Sequence, residues 1–150
     1  NKIREYYRHA PYFRQAFPVI EQCISIEITN LFTFILNSLN CINKYLHITT
    51  PLVTSSTISI DHQLKAEQKV IALCKARKMG TYINPIGGIE LYNKENFKTE
   101  KIELHFLKSD NFVYKQFEND FIPSLSIVDV MMFNSNKIIK DFLDNSYSLI

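Results

Sequence analysis

One carboxylate stands in an apolar run near the end of the chain. Asp129 lies in SLSIVDVMMF, between two valines and ahead of two methionines. A carboxylate among apolar neighbours must be paired, hydrogen-bonded or protonated, because an isolated buried charge is costly. Such a group can act as a general base toward an amine or a hydroxyl, so Asp129 is the candidate catalytic residue.

The serine three positions earlier allows a second interpretation of the same segment. Ser126 and Asp129 have the spacing of a capping box, with Ser126 as the N-cap of a helix and Asp129 at its third position. Both roles are compatible, because a helix N-terminus also attracts anions. We therefore expect Asp129 to be buried at the start of a helix beginning near Ser126, and we include Ser126 among the candidate ligand-binding residues.

All three glycines of the chain fall within nine residues, in GTYINPIGG. Gly80 follows a predicted helix and is expected to end it in a left-handed conformation. Gly87 and Gly88 follow a predicted strand, at the position where α/β sheets bind ligands. Paired glycines let a ligand approach main-chain N–H groups, so the loop from Asn84 to Gly88 is a candidate cradle for a phosphate or carboxylate. A tight turn after Pro85 explains the same glycines.

The cysteines and histidines give no sign of metal or disulfide chemistry. Cys23, Cys41 and Cys74 are odd in number and widely spaced, and each lies in an apolar helical pattern. We therefore expect free thiols in a reducing compartment. The histidines show no i,i+4 pair and no Cys/His cluster has the spacing of a zinc site, so we predict no metal and no cofactor. The spacing of Ser, His, Asp and Cys residues also gives no hydrolase triad.

Helices and a few strands must position these residues. The first half of the chain is predicted to be helical, with a break at Pro11, a new start at Pro18, and the amphipathic stretch NLFTFILNSLNCINKYLHI. The β-branched segment Leu52–Ser55 predicts a strand. A helix ending before Gly80 and a strand over Thr81–Asn84 would then complete a βαβ pattern.

Further elements are expected on both sides of the candidate site. The loop Pro85–Gly88 should lead into a short helix at Ile89–Tyr92, with Gly87 or Gly88 at positive φ or with its backbone packed against a neighbour. The alternating segment KIELHFLK predicts another strand, and two short helices should meet near Asn134–Ser135. The expected fold class is α/β, a small mainly parallel sheet with flanking helices and a helical N-terminal part; α+β is the alternative.

Length and composition indicate an ordered globular protein. The 150 residues, 46% of them hydrophobic and 13% aromatic, fit a single domain over residues 1–150. A net charge of +2 with dispersed basic residues argues against a nucleic-acid binder. No apolar run approaches the roughly 18 residues needed to span a bilayer. The charged start lacks a signal region, so we expect a cytoplasmic protein, and it lacks an initiator Met, so we expect a fragment of a longer chain.

The first segment is rich in aromatic and basic side chains. Its aromatic residues include Tyr6, Tyr7, Tyr12 and Phe13. Aromatic clusters can stack on sugars or bases, but core packing is their commoner use. The nearby arginines could meet the phosphates of a sugar nucleotide, and a solvated face is the alternative.

Four segments of the chain together resemble the WbqC-like family. They are EYYRHAPYF, VIALCKARKMGTYINPIGGIELY, VYKQF and IPSLSIVDVMMFNS, in the family's order and over nearly the whole chain. The glycine loop and LSIVDVMMFNS are the most specific of them. The family's usual opening, a strand and an aromatic loop similar to QPYFFPYxGYF, has no counterpart here, so the chain should correspond to the C-terminal part of the pattern.

The resemblance implies a bacterial protein of O-antigen-type surface-polysaccharide biosynthesis. Transfer of glycine or another amino acid onto the glycan has been suggested for some members, so the implied activity is that of a transferase acting on a sugar intermediate. The implied substrate is a small molecule such as an amino acid, a nucleotide or a sugar nucleotide. The resemblance also adds Gln116 of VYKQF as a residue that could bind a ligand amide or hydroxyl; bonding to nearby backbone is the alternative.

A non-catalytic binding or scaffold protein of a glycan assembly complex is the competing class of function. In an enzyme, Asp129, Gln116 and the Gly87–Gly88 loop should converge on one cleft. A scaffold should leave them apart and show a large exposed apolar patch.

Overall fold

The structure is a computed structural model that describes residues 2–118 and 120–150. The chain forms two compact units. The first unit combines Asn1–Thr50 with Asn111–Ser146, and the second combines Pro51–Asp110 with Tyr147–Ile150. The expectations of a single domain and of a longer parent chain stay predictions.

Helices and short strands follow one another along the described part of the chain. The helices are α1 (Lys2–Tyr7), α2 (Phe13–Ile24), α3 (Leu31–Tyr45), α4 (Ala66–Ala76), α5 (Lys94–Thr99), α6 (Ile127–Phe133) and α7 (Asn136–Asn145). The strands are β1 (Thr81–Pro85), β2 (Glu103–Ser109) and β3 (Tyr147–Leu149). Two short 3₁₀ helices cover Ser55–Thr57 and Ile86–Leu91.

The strands form one small mixed sheet in the order β1-β2-β3. β1 runs parallel to β2, with Thr81 opposite Glu103, and β3 runs antiparallel to β2, with Leu149 opposite Leu107. The predicted class is confirmed, since helices flank a small sheet in an arrangement that fits α/β or α+β.

The core of the first unit lies between α2, α6 and α7. Along α2 the buried residues are Ala16, Phe17, Ile20 and Cys23, the three- and four-residue steps of one helix face. Met131 and Met132 of α6 are fully buried in the same cluster. Pro11 separates α1 from α2 as predicted, but the new start at Pro18 was wrong, because α2 begins at Phe13 and runs through Pro18.

The core of the second unit lies against the middle strand. Leu104 and Phe106 alternate with more exposed residues along β2, which is the period of a strand buried on one face. Fully buried Phe97 of α5 packs in the same cluster, and its ring stacks on Tyr82 with the centroids 5.7 Å apart. Cys74 joins this cluster from α4.

In the second unit one predicted strand was wrong and one strand was missed. No strand forms at Leu52–Ser55, whose last residue already begins the 3₁₀ helix, so its β-branched composition did not produce a strand. The parallel pair is instead β1 and β2, joined through Ile86–Leu91 and α5. β3 was missed because its three residues become a strand only by pairing with β2.

The prediction that Gly80 ends a helix in a left-handed conformation was also wrong. The left-handed residue after α4 is Lys78, at φ 53°. Its N–H donates to the carbonyl of Lys75 (3.0 Å), and the N–H of Met79 donates to that of Cys74 (2.9 Å), which is the Schellman arrangement. The same pair of bonds ends α3 and α5, with His47 (φ 56°) and Lys101 (φ 59°) in the left-handed position.

The cysteines are free, which confirms the prediction of unpaired thiols. Burial raises the pKa of the Cys23 and Cys74 thiols, and the neighbouring Cys41 adds to the effect at Cys23. Within residues 2–118 and 120–150, none of the helices has the length and apolar character needed to cross a membrane.

Candidate functional site

The Asp129 carboxylate is held at the first turn of α6 in the first unit. Ser126 is the N-cap of this helix, and its Oγ accepts a hydrogen bond from the N–H of Val128 (3.2 Å). Asp129 is only 4% exposed. The predictions of a helix starting after Ser126 and of a buried Asp129 in its first turn are both confirmed.

Three neutral donors meet at this carboxylate. Tyr7 Oη donates to Oδ2 (2.9 Å), while Tyr114 Oη (2.6 Å) and Gln116 Nε2 (3.0 Å) donate to Oδ1. Among the described residues, no Lys, Arg or His lies within 4.0 Å of it to form an ion pair. A buried carboxylate without a cation must take its stabilisation from hydrogen bonds, and this network supplies it.

The capping box is only half realised. Ser126 caps the helix, as expected, but the carboxylate of Asp129 is engaged by residues from distant parts of the sequence. A residue serving only the helix end would bond locally. The long-range partners therefore indicate a role for Asp129 beyond capping.

Gln116 joins this network to the backbone nearby. Its side chain is 7% exposed, and Nε2 donates both to Asp129 and to the carbonyl of Ile122 (3.1 Å). Its Oε1 accepts from the N–H of Ile122 (2.8 Å). The backbone bonds weighed as an alternative are thus present, and both amide hydrogens are engaged. A role in binding a ligand stays a prediction.

A cavity of about 190 Å³ opens onto Asp129 within the first unit. Aromatic rings form much of its wall, from Tyr6, Tyr7, Phe117 and Phe133. A second carboxylate, Asp120, also lines it, whereas its described lining includes no Lys, Arg or His. The cavity is therefore aromatic and negatively charged, which favours a neutral or cationic group over a phosphate.

The two tyrosines remain neutral donors at ordinary pH. Burial, followed by the hydrogen bond to Asp129, raises the pKa of Tyr114 to about 12. The same two causes, in the same order, raise the pKa of Tyr7 well above its usual value. Each hydroxyl therefore keeps its proton and continues to donate to Asp129 across the physiological range.

Sequence reasoning missed Tyr7 and Tyr114 as partners of the carboxylate. Tyr7 belongs to the aromatic cluster of the first segment, for which core packing was the commoner interpretation. It lies 122 positions from Asp129 in the sequence, so no local spacing connects the two residues. Tyr114 had a usable signal, because it is two residues before Gln116 in VYKQF. Side chains at i and i+2 of an extended segment point to the same side.

The glycine stretch of the second unit is built differently from the prediction. Gly87 and Gly88 lie inside the 3₁₀ helix Ile86–Leu91, so the loop Pro85–Gly88 and the later helix start at Ile89 were wrong. None of the glycines has positive φ. Gly88 is buried, and a Cβ there would collide with Nδ2 of Asn84, so the expected close backbone packing is confirmed for Gly88.

The Asn84 side chain fills the space above Gly88. Its Nδ2 donates to the carbonyl of Pro85 (3.1 Å), and its Oδ1 accepts from the hydroxyl of Tyr82 (3.0 Å). A Cβ at Gly87 would meet nothing within 4 Å, so steric crowding does not require glycine at position 87. Ligand binding by Asn84, Gly87 and Gly88 stays a prediction.

The predicted site residues belong to both units. The structure brings Asp129 and Gln116 into direct contact, with Ser126 at the start of the same helix as Asp129. Asn84, Gly87 and Gly88 lie in the second unit. Within the described part of the chain, no group of three His, Cys, Asp or Glu residues could hold a metal ion.

Comparison with known proteins identifies a family that the chain matches. The model of the WbqC-like protein family matches residues 1–141 of the chain, a range that includes every predicted site residue. No curated protein and no solved structure matches the chain.

Proposed function

The chain belongs to the WbqC-like protein family, and from this membership we propose that it acts in the biosynthesis of a bacterial surface polysaccharide of the O-antigen type. Family membership indicates a polysaccharide-related protein. The proposed reaction is transfer of an aminoacyl group, such as glycyl, to a sugar intermediate. The observation that carries this proposal is the buried Asp129 carboxylate, held by three neutral donors at an aromatic cavity.

The two oxygens of Asp129 are used unequally. Among the described residues Oδ1 accepts two hydrogen bonds, whereas Oδ2 accepts one, from Tyr7. A carboxylate oxygen has two lone pairs, so Oδ2 keeps one for a substrate. Tyr7 and Asp129 both line the cavity, which makes Oδ2 the atom that would receive a proton.

In the proposed reaction, an amine or hydroxyl of the sugar attacks the carbonyl carbon of an activated aminoacyl donor. A new C–N or C–O bond forms, the bond to the leaving group breaks, and the leaving group departs with its electron pair. The proton of the nucleophile passes to Oδ2 of Asp129, which acts as general base. Tyr7, Tyr114 and Gln116 hold the carboxylate in place for this step.

The size and charge of the cavity narrow the group that enters it. A volume of about 190 Å³ is below the roughly 300–1,000 Å³ of pockets that enclose a whole drug-sized ligand. It suits an aminoacyl group or one edge of a sugar ring. The α-ammonium of a glycyl group would meet the aromatic rings and Asp120, a favourable setting for a cation.

The test compares Asp129→Asn with the unmodified protein in a transfer assay. An activated glycyl ester and glucosamine serve as donor and acceptor, and mass spectrometry measures the glycylated sugar. Loss of a general base should reduce the transfer rate by about 10²–10⁴-fold. Asp110→Asn is the matched control, because Asp110 is exposed and lies in the second unit.

Two results would count against the transferase. One is a transfer rate in Asp129→Asn equal to that of Asp110→Asn. The other is transfer by neither the unmodified protein nor the variants across a series of amino sugars and activated amino acids.

An exposed apolar stripe favours the scaffold as a second candidate function. Leu31, Phe32, Ile35 and Leu39 of α3 are 71%, 56%, 48% and 46% exposed. Apolar patches of this kind mark interaction surfaces. Leu31→Glu with Ile35→Glu should then abolish polysaccharide assembly in cells while Asp129→Asn leaves it intact. The transferase predicts the reverse.

A further inference from the structure

A second and larger cavity lies in the first unit, away from the residues that surround Asp129. It measures about 440 Å³, within the range of small-molecule sites. It is formed by α2, α3, His47 two positions after the end of α3, and the first residue of α7. The lining side chains with hydrogen-bonding or charged groups include Gln22, Asn40, Lys44, His47 and Asn136.

The chemistry of this lining is the opposite of that around Asp129. Three primary amides, those of Gln22, Asn40 and Asn136, offer both donors and acceptors. Lys44 adds a positive charge, and none of the described lining residues is an Asp or Glu. Amides recognise hydroxyl groups, and a lysine ammonium attracts a phosphate as a point charge.

Parts of this lining are fixed before any ligand arrives. Asn136 Nδ2 donates to the carbonyl of Tyr45 (2.6 Å), which ties α7 to the end of α3. The left-handed turn at His47 closes α3, with the N–H of Ile48 donating to the carbonyl of Asn43 (2.8 Å). Fixed polar groups lose little conformational entropy when a ligand binds, which favours affinity.

One acceptor in this lining has no partner. Asn136 Oδ1 is buried and makes no hydrogen bond within the described part of the chain. A buried acceptor left unpaired costs about 1–3 kcal/mol. After a small shift of the Asn136 side chain toward the cavity, a ligand hydroxyl that donates to this oxygen would remove that cost.

We propose that this cavity binds a phosphorylated sugar. The phosphate is placed at Lys44 with the His47 ring beside it, and the amides of Gln22, Asn40 and Asn136 bond the sugar hydroxyls. The site shares none of its lining residues with the Asp129 cavity, so the proposal stands independently of the transfer reaction.

Isothermal titration calorimetry with glucose 1-phosphate, glucose and inorganic phosphate tests the proposal on the full chain. Glucose 1-phosphate should bind more tightly than either glucose or inorganic phosphate alone, because it engages both halves of the cavity. Lys44→Gln should reduce the affinity for glucose 1-phosphate by about tenfold or more, because a hydrogen bond to a charged group is lost. Lys137→Gln, which removes the same charge from an exposed position of α7 outside the lining, should leave binding unchanged.

A chemical readout covers the case in which a variant folds poorly. Cys41 lines the same cavity and is partly exposed, so its thiol should react with iodoacetamide in the unmodified protein. Glucose 1-phosphate should slow that alkylation, and glucose should not. His47→Asn, which keeps a residue tolerant of the left-handed conformation, should reduce the protection.

Three outcomes would overturn the proposal. The first is the absence of glucose 1-phosphate binding together with unchanged alkylation of Cys41. The second is equal binding of glucose 1-phosphate and inorganic phosphate, which would make this a simple anion site. The third is equal loss of binding in Lys44→Gln and Lys137→Gln, which would indicate general charge attraction.

Discussion

The two units differ in what they bury. In the second unit the buried side chains are Cys74, Phe97, Ile102, Leu104 and Phe106, all of them apolar or weakly polar. The first unit also has an apolar core, but the buried polar and charged side chains found in the described residues, Gln116, Asp129 and Asn134, all belong to it. Apolar residues at such positions would give stability without the cost of desolvating a charge. The described buried polar and charged side chains are therefore concentrated in the first unit, whereas those buried in the second unit form an apolar core.

The same contrast changes the meaning of the glycine cluster. A Cβ at Gly88 would collide with the side chain of Asn84 in the same unit, so the absence of a side chain at Gly88 serves local packing. Asp129, by contrast, collects partners from positions 7, 114 and 116. Convergence of distant residues on one buried charge is a stronger indication of a site than the scarcity of a residue type.

The largest expected effect is on the apolar core of the second unit. Phe97→Ala should lower the free energy of unfolding of that unit by about 3–5 kcal/mol, because Phe97 is fully buried and the change leaves a cavity. Hydrogen exchange of the second-unit amides, with urea denaturation, measures it. Phe32→Ala is the matched control, since Phe32 is 56% exposed and should cost little. Equal losses for the two variants would show that this core is not what stabilises the second unit.

A pH titration compares one tyrosine from each unit. The pKa values of Tyr114 and Tyr82 are both raised to about 12, chiefly by burial, but only Tyr114 bonds to Asp129. Asp129→Asn should therefore lower the pKa of Tyr114 and leave that of Tyr82 unchanged. Ultraviolet absorbance of tyrosinate, with Tyr114→Phe and Tyr82→Phe for assignment, measures both.

The direction of the pH effect on stability follows from the raised pKa values. The folded protein favours the protonated phenols of Tyr82 and Tyr114. Their contribution to the free energy of unfolding is therefore fully present below the ordinary tyrosine pKa of 10.0, and it is lost as the pH rises through about 12. The stability lost on raising the pH should be smaller in Tyr114→Phe than in the unmodified protein. An Asp129→Asn variant that leaves the titration of Tyr114 unchanged would contradict the network described for the first unit.

The smallest expected effect separates the two adjacent glycines. Gly88→Ala should destabilise the second unit by about 1 kcal/mol or more, because its Cβ would collide with Asn84. Gly87→Ala should leave the free energy of unfolding unchanged or raise it by about 0.4–1 kcal/mol. The Cβ of alanine would meet nothing within 4 Å, and alanine lowers the conformational entropy of the unfolded chain. Urea denaturation measures both, and adding Asn84→Ala should recover most of the loss in Gly88→Ala. If Gly87→Ala is the more harmful change, the steric account is wrong.

Much of the local structure was predictable from the sequence. β1, β2, the helix capped by Ser126 and the break near Asn134–Ser135 each follow from signals within a few residues. The burial of Asp129 also followed, because its immediate neighbours are apolar. These features depend on nearest neighbours, which a sequence pattern displays directly.

The misses depend on contacts between distant positions. β3 needs β2 as its partner, and the β-branched segment before Ser55 has none, so propensity alone gave the wrong answer for both. The network at Asp129 needs Tyr7 from the other end of the chain, a pairing that no local spacing reveals. The prediction for the end of α4 was wrong for another reason: Lys78, and not Gly80, adopts the left-handed conformation that glycine usually adopts.

The three helix ends at His47, Lys78 and Lys101 show where this chain places a conformational cost. A left-handed residue with a side chain is strained in the folded state by about 1–2 kcal/mol. Glycine would avoid that strain but would make the unfolded chain more disordered, a cost of entropy that grows with temperature. The strain itself is mainly enthalpic and changes little on heating. Replacing these three residues by glycine should therefore raise the free energy of unfolding at low temperature. This gain should become smaller as the temperature rises.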